Sequence, residues 1–149
     1  RQYADEQVSV RIGDQSDPIF LQSLIDEFGP PDAVLDDGSH QMHHVTETFS
    51  FLYERIAPNG VYMIEDMHTA YWPDYGGGRG DPRSIIECFK GLIDDLNADH
   101  IRAGSVSPSN FTRQTIAMTA YDSILVFEKA PTINKSMKMI GNENLRVNY

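Results

Sequence analysis

The sequence is poor in cysteine, in basic residues and in long apolar runs, and each shortage excludes a class of protein. Its one cysteine, Cys88, cannot form an internal disulfide, which fits a reducing cytoplasm. Twelve Lys and Arg face 22 Asp and Glu, so the net charge of −10 argues against nonspecific binding to nucleic acid or anionic lipid. No apolar run approaches the roughly 18 residues of a membrane span. We therefore expect a cytoplasmic protein with neither a nucleic-acid nor a membrane partner.

The length of 149 residues predicts one domain with a sizeable core. The composition becomes polar and rich in Asn and Lys near the end. We expect a catalytic domain over residues 1–130 and a C-terminal tail over 131–149. The sequence starts at Arg1 rather than at Met, which suggests a piece of a longer protein.

Hydrophobic spacing predicts alternating strands and helices. The predicted strands are 8–12, 33–35, 61–64, 115–120 and 124–129, the last two forming a hairpin; the predicted helices are 18–28, 45–56 and one that starts at Asp81-Pro82. A long loop over 67–82 precedes the third helix. This alternation predicts an α/β fold with a largely parallel sheet closed by an antiparallel hairpin.

Acidic side chains follow several predicted strands directly. They are Asp14, Asp36, Asp37, Glu65 and Asp66. Because ligands of α/β sheets sit beyond the carboxyl ends of the strands, we expect these carboxylates to share one rim. Such crowding is unfavourable unless a cation or hydrogen bonds compensate it.

The all-oxygen set Asp37, Glu65 and Asp66 suits Mg²⁺, Mn²⁺ or Ca²⁺ better than Zn²⁺. His40 lies three residues after Asp37, where a neutral imidazole could take a proton from a hydroxyl that a metal polarises. An equally weighted interpretation is that Asp36 and Ser39 cap the helix and that His40 is a solvated residue of the first turn. His43 and His44 could suggest zinc, but the nearby carboxylates favour a hard ion, and we expect His44 to support the site.

Tyr71 and Trp72 lie in the long loop just after the second acidic pair. Aromatic side chains on a loop above a rim site are typical of a lid over an acceptor or a sugar face. The alternative is that Trp72 anchors the loop to the core. The following Gly76-Gly77-Gly78 run lacks the context of a phosphate-binding loop.

Four motifs in order resemble one family. They are Ile12–Asp17, Asp36-Asp37-Gly38-Ser39-His40 with His44 and Thr48-Phe49, Tyr62–Asp66, and His68–Pro73. Together they resemble the macrolide-sugar O-methyltransferases of the mycinamicin type, related to cephalosporin hydroxylase-like proteins. The resemblance covers roughly residues 8–129.

This resemblance implies a Rossmann-like class I methyltransferase fold, a three-layer sandwich with strand order 3-2-1-4-5-7-6. It implies S-adenosylmethionine as methyl donor, facing residues such as Asp14, Gln15 and Asp36. It also implies Mg²⁺ held by Asp37, Glu65 and Asp66, His40 as the catalytic base, and an acceptor hydroxyl on a sugar or glycoside near Tyr71 and Trp72.

The family's glycine-rich turn and ribose-binding acid have no counterpart here, so the first two strands of the fold are expected to be missing. An exposed sheet edge would then favour a homo-oligomer. Two other functions remain open: a metal-dependent hydrolase or hydroxylase-like enzyme that activates water with the same carboxylates, and a non-catalytic, binding-only piece.

Overall fold

The computed structural model describes residues 7–101 and 107–131, which form one mixed sheet with helices packed against it. The helices are α1 (Pro18–Phe28), α2 (Met42–Leu52), α3 (Ile85–Leu96) and α4 (Asn110–Gln114). The strands are β1 (Ala33–Asp36), β2 (Val61–Ile64), β3 (Thr115–Tyr121) and β4 (Ile124–Lys129). Short 3₁₀ helices cover Tyr53–Arg55, Met67–Tyr71, Pro73–Tyr75 and Ala98–His100.

The strands lie side by side in the order β1-β2-β4-β3. β1 runs parallel to β2, whereas β4 is antiparallel to both β2 and β3. The predicted hairpin is confirmed, with Asp122 and Ser123 as the connection between Tyr121 and Ile124. The order agrees with the 4-5-7-6 half of the expected sheet. Because β1 and β2 are parallel and Asp36 pairs with Ile64, both strands end at the same edge.

The core lies between α2, α3 and one face of the sheet. Tyr62 and Ile64 of β2 and Leu125 and Phe127 of β4 alternate along their strands and are fully or almost fully buried. Phe49 of α2 packs its ring against Tyr62 and Phe127 at centroid distances of 5.3 and 4.4 Å. Burying each such side chain contributes about 1.5–3 kcal/mol. The core therefore fixes β2, whose end carries part of the acidic rim.

Helix α1 begins as the sequence predicts, but α3 does not. The Asp17 side chain accepts a hydrogen bond from the Ile19 backbone, with Pro18 in the first turn. α3 starts at Ile85 rather than after Asp81-Pro82, since Ser84 supplies the cap. The Asp81 carboxylate instead accepts from the Arg83 backbone in the preceding turn.

The prediction of a strand over 8–12 is wrong. These residues form no part of the sheet, and the Ile12 side chain is 95% exposed. An alternating pattern makes a strand only where a neighbouring strand can share its backbone hydrogen bonds. Among the described residues no strand pairs with the outer edge of β1, where Leu35 is 53% exposed.

The predicted tail over 131–149 falls almost wholly outside the described residues, which end at residue 131. Its extent and the domain boundary at residue 130 therefore stay predictions. Within residues 7–101 and 107–131, no helix has the length and apolar character needed to cross a membrane.

Candidate carboxylate–histidine site

Asp37, His40 and Asp66 come together beyond the ends of β1 and β2. One ligand atom from each lies within 4.8 Å of the others. His40 Nε2 is 3.6 Å from Asp37 Oδ1 and 3.7 Å from Asp66 Oδ2. Both carboxylates are about half exposed, whereas the imidazole is largely covered. Three of the predicted site residues thus share one solvent-accessible point on the rim.

The backbone at this point is in a disfavoured conformation. His40 and Asp66 have φ angles of 57° and 52°, in the left-handed region that side chains with a Cβ rarely adopt. Such residues persist only where their surroundings hold them, and they concentrate at functional sites. The two residues that face each other across the cluster therefore both depend on restraint from neighbouring groups.

Asp36 belongs to a buried network behind the cluster. Its carboxylate accepts hydrogen bonds from Tyr62 Oη and Gln15 Nε2, both at 3.2 Å. Gln15 Oε1 accepts from the Ser39 backbone at 2.7 Å, and Gln15 Nε2 also contacts Thr48 Oγ1. Burial raises the pKa of Asp36, against the opposing effect of these donors. The network fixes the segment between Asp37 and His40 from its inner side.

Gly38 lies directly against this same network. A Cβ on Gly38 would lie 2.0 Å from Gln15 Oε1, the atom that accepts from Ser39. A methyl group there would displace the Gln15 side chain. The Asp-Asp-Gly-Ser-His run is therefore constrained by packing as well as by its chemistry.

The residues predicted to face a cofactor have unequal surroundings. Asp14 is exposed, and hydrogen bonds from the Ser16 backbone and hydroxyl lower the pKa of Asp14. Gln15 and Asp36 instead bond to each other, although both line an open cleft of about 340 Å³ beside β1 together with Asp37 and Gly38. Their cofactor role stays a prediction.

Glu65 is not part of the close cluster. Its backbone N–H donates to the Asp36 carbonyl at 3.0 Å, which continues the β1–β2 pairing, and its side chain is half-buried. His44 lies one turn further along, where its Nδ1 is 2.7 Å from Ser39 Oγ. Within the described residues, the close group of potential ligands includes neither His43 nor His44.

Tyr71 and Trp72 lie on the adjacent loop with about half of each side chain exposed. The Trp72 ring contacts His68 and Tyr75 at centroid distances of 4.9 and 5.8 Å. Gly77 closes this loop tightly, since a Cβ there would lie 2.3 Å from the Ala70 carbonyl oxygen. Trp72 thus packs on its own loop and presents aromatic surface beside His68.

Two residues at the site were not predicted from the sequence. His68 Nδ1 is 4.0 Å from Asp66 Oδ1 and 2.7 Å from Ser123 Oγ. Ser123 comes from the β3–β4 connection, 55 residues further along the chain. His68 appears in one of the quoted motifs, but no local pattern marks Ser123, because its position depends on how the hairpin pairs with β2.

The fold and the site together define a class, the Rossmann-like α/β proteins whose functional groups lie beyond the carboxyl ends of the strands. The chain is 37% identical to the demethylmacrocin O-methyltransferase of Streptomyces fradiae, over 87% of its own length and 34% of that protein. It is also 37% identical to the mycinamicin VI 2''-O-methyltransferase of Micromonospora griseorubida, over 78% of its length and 30% of that protein. No family profile matches the chain.

Solved structures of a methyltransferase also match the chain. MycE methyltransferase from the mycinamycin biosynthetic pathway, in complex with Mg and SAH, matches with a TM-score of 0.79 and 33% identity, over 87% of this chain and 35% of that one. The MycE complex with Mg, SAH and mycinamycin VI matches with a TM-score of 0.81 and 30% identity, over 97% and 37%. These matches confirm the Rossmann-like methyltransferase fold and the resemblance to mycinamicin-type sugar O-methyltransferases. The chain spans about a third of the length of these relatives.

Proposed function

We propose that this chain carries the metal- and acceptor-binding part of an S-adenosylmethionine-dependent O-methyltransferase. The acceptor is a hydroxyl of a sugar or of a natural-product glycoside. The observation that carries the proposal is the convergence of Asp37, His40 and Asp66 at the end of two parallel strands. The names of the relatives, all sugar or macrolide O-methyltransferases, support the reaction and the class of acceptor.

The donor chemistry of the site fits a Mg²⁺ ion. Asp37 and Asp66 offer half-exposed carboxylate oxygens, the hard ligands that Mg²⁺ prefers, and Mg²⁺ commonly keeps several waters beside one or two carboxylates. We assign Asp37 and Asp66 as ligands. Glu65 stays the predicted third ligand, although it lies outside the close group. When bound, the ion would polarise an acceptor hydroxyl and lower its pKa.

His40 is the proposed catalytic base. Its Nε2 faces both carboxylates, which stabilise the positive charge that the ring gains with a proton. When bound, S-adenosylmethionine would supply the methyl group: the acceptor oxygen would bond to the methyl carbon, and the carbon–sulfur bond would break with its electrons left on sulfur. His40 Nε2 would hold the proton of the acceptor hydroxyl. Tyr71 and Trp72 supply a half-exposed aromatic surface for the acceptor, and Asp14, Gln15 and Asp36 are assigned to the cofactor side.

The test uses the two acceptors that appear in the relatives' names, demethylmacrocin and mycinamicin VI. His40→Ala is expected to lower kcat by about 10²–10⁴-fold, the usual contribution of a general base, with little change in S-adenosylmethionine affinity. His100→Ala is the matched control, since His100 is exposed in a separate 3₁₀ helix. Methyl transfer by the full-length protein that survives EDTA would contradict metal dependence. If the full-length protein, with the strands that precede this chain, bound no S-adenosylmethionine in calorimetry, a hydrolase would be favoured instead.

We further infer a cytoplasmic location, which the single cysteine supports, and self-association, which the exposed edge of β1 supports.

A further inference from the structure

Ser123 reaches across from the β3–β4 connection to the segment that follows Asp66. Its carbonyl oxygen accepts a hydrogen bond from the Met67 backbone at 3.0 Å. Its hydroxyl oxygen accepts from the His68 backbone at 3.3 Å and lies 2.7 Å from His68 Nδ1. Three contacts from one residue therefore fix the backbone and the ring just after Asp66.

His68 lies between Ser123 and the site and contacts both. Its Nδ1 lies 4.0 Å from an Asp66 carboxylate oxygen, and its ring meets the Trp72 ring edge-on at a centroid distance of 4.9 Å. Asp66 holds a left-handed φ of 52°, which is unfavourable for a residue with a Cβ. A conformation of this kind needs support from outside its own segment, and the hairpin supplies it here.

We propose that Ser123 and His68 are positioning residues that hold Asp66 in the orientation needed to bind a divalent ion. This inference rests on the proposed metal site. The role depends on the hydrogen bond between the Ser123 hydroxyl and His68 Nδ1 and requires no charge on the imidazole. The alternative is that the same bond only closes the hairpin, in which case its loss would lower stability and leave metal affinity unchanged.

The test measures Mn²⁺ affinity of the full chain by calorimetry, with thermal unfolding measured on each variant. Ser123→Gly removes the hydroxyl while leaving φ of 63° allowed, and His68→Ala removes the ring. Each is expected to weaken Mn²⁺ binding about tenfold, within the range found for residues that support metal ligands. His68→Asn, which keeps a polar atom near the Nδ1 position, is expected to recover most of the affinity.

Ser23→Ala is the matched control, because the Ser23 hydroxyl bonds to the Phe20 carbonyl within α1, away from the site. If both residues act through one contact, the double variant Ser123→Gly/His68→Ala should have the same Mn²⁺ affinity as whichever single variant binds Mn²⁺ more weakly. Trp72 is the one tryptophan of the chain, so its fluorescence reports separately on the loss of the His68 ring.

The outcomes separate this inference from the proposed function. A wild-type chain that binds no Mn²⁺ overturns the metal site, and the positioning role with it. Wild-type affinity in both Ser123→Gly and His68→Ala overturns the positioning role alone. Equal weakening in His68→Asn and His68→Ala overturns the part assigned to the hydrogen bond.

Discussion

At the scale of single residues, the site is distinguished by its backbone. Among the described residues, three that are not glycine have positive φ: His40, Asp66 and Ser123. The first two face each other, and the third supports the segment after Asp66. Each such conformation costs about 1–3 kcal/mol, which the rest of the fold must offset. The unfavourable backbone conformations are thus concentrated at the proposed site and in the segment that supports it.

Replacing Gly38 with Ala tests the network behind His40. The new methyl group would lie 2.0 Å from Gln15 Oε1, so Gln15 must release the Ser39 backbone. We expect a loss of about 0.5–1.5 kcal/mol in the free energy of unfolding, measured in urea, from the loss of this hydrogen bond. Gly91→Ala in α3 is the control: a Cβ there meets nothing within 4 Å, and we expect a gain of about 0.5–1 kcal/mol. Equal stability of the two variants would contradict the prediction.

At the scale of elements, local patterns predicted most helices and strands, and they failed for the one strand that has no partner. α1 followed from Asp17-Pro18, and β1, β2 and the hairpin followed from short apolar runs between turns. The proposed strand over 8–12 alternates apolar and polar residues, yet a strand also requires a partner, which no single segment specifies.

The residues of the candidate site also divide into those that the sequence could predict and those that it could not. Asp37, His40 and Asp66 could be expected at one rim because each follows a strand within a few residues. Glu65 was expected in the same cluster, but it is not part of the close group. Its backbone N–H donates to the Asp36 carbonyl and so continues the pairing of β2 with β1. Ser123 could not be expected, since it reaches the site through the pairing of β4 with β2.

The junction between α2 and β3 predicts a response to high pH. The buried Tyr53 hydroxyl shares a hydrogen bond with Thr115 Oγ1, and the two oxygens are 2.9 Å apart. Burial raises the pKa of Tyr53 to about 12. Between pH 10 and 12 the folded chain keeps a proton that the unfolded chain loses, so the free energy of unfolding falls as pH rises. Tyr53→Phe lacks this dependence.

We expect Tyr53→Phe to be about 1 kcal/mol less stable than wild type at pH 7, the usual value of one hydrogen bond. The difference should shrink and then change sign between pH 10 and 12, as measured by urea unfolding at each pH. A difference that stays constant over that interval would show that Tyr53 does not titrate with folding. Tyr121→Phe, at an exposed position in β3, serves as the control.

At the scale of the whole molecule, the sheet ends at β1 in an unpaired edge. Within the described residues nothing pairs with the outer edge of β1, and the apolar Leu35 is half exposed there. Open edges of this kind promote association between chains. The chain also covers about a third of its relatives, whose remaining length has no counterpart in it.

We expect the chain to self-associate as its concentration rises, as measured by light scattering after size exclusion. Leu35→Lys should shift the distribution toward the monomer, because a charge at the edge disfavours pairing. Ile19→Lys is the control, since Ile19 is exposed but belongs to α1 and not to β1. A monomeric wild type at every concentration would contradict the expectation.

The order of the strands also bears on when the site can form during synthesis. β2 pairs with β4, so Val61 must find Glu128, 67 residues later, before the sheet has its central pair. Contacts between such distant positions form late and slow the folding of a chain. The carboxylates and the histidine leave the ribosome well before Ser123. Until the hairpin emerges and docks, a nascent chain holds the ligands of a metal site without the contact that orients Asp66.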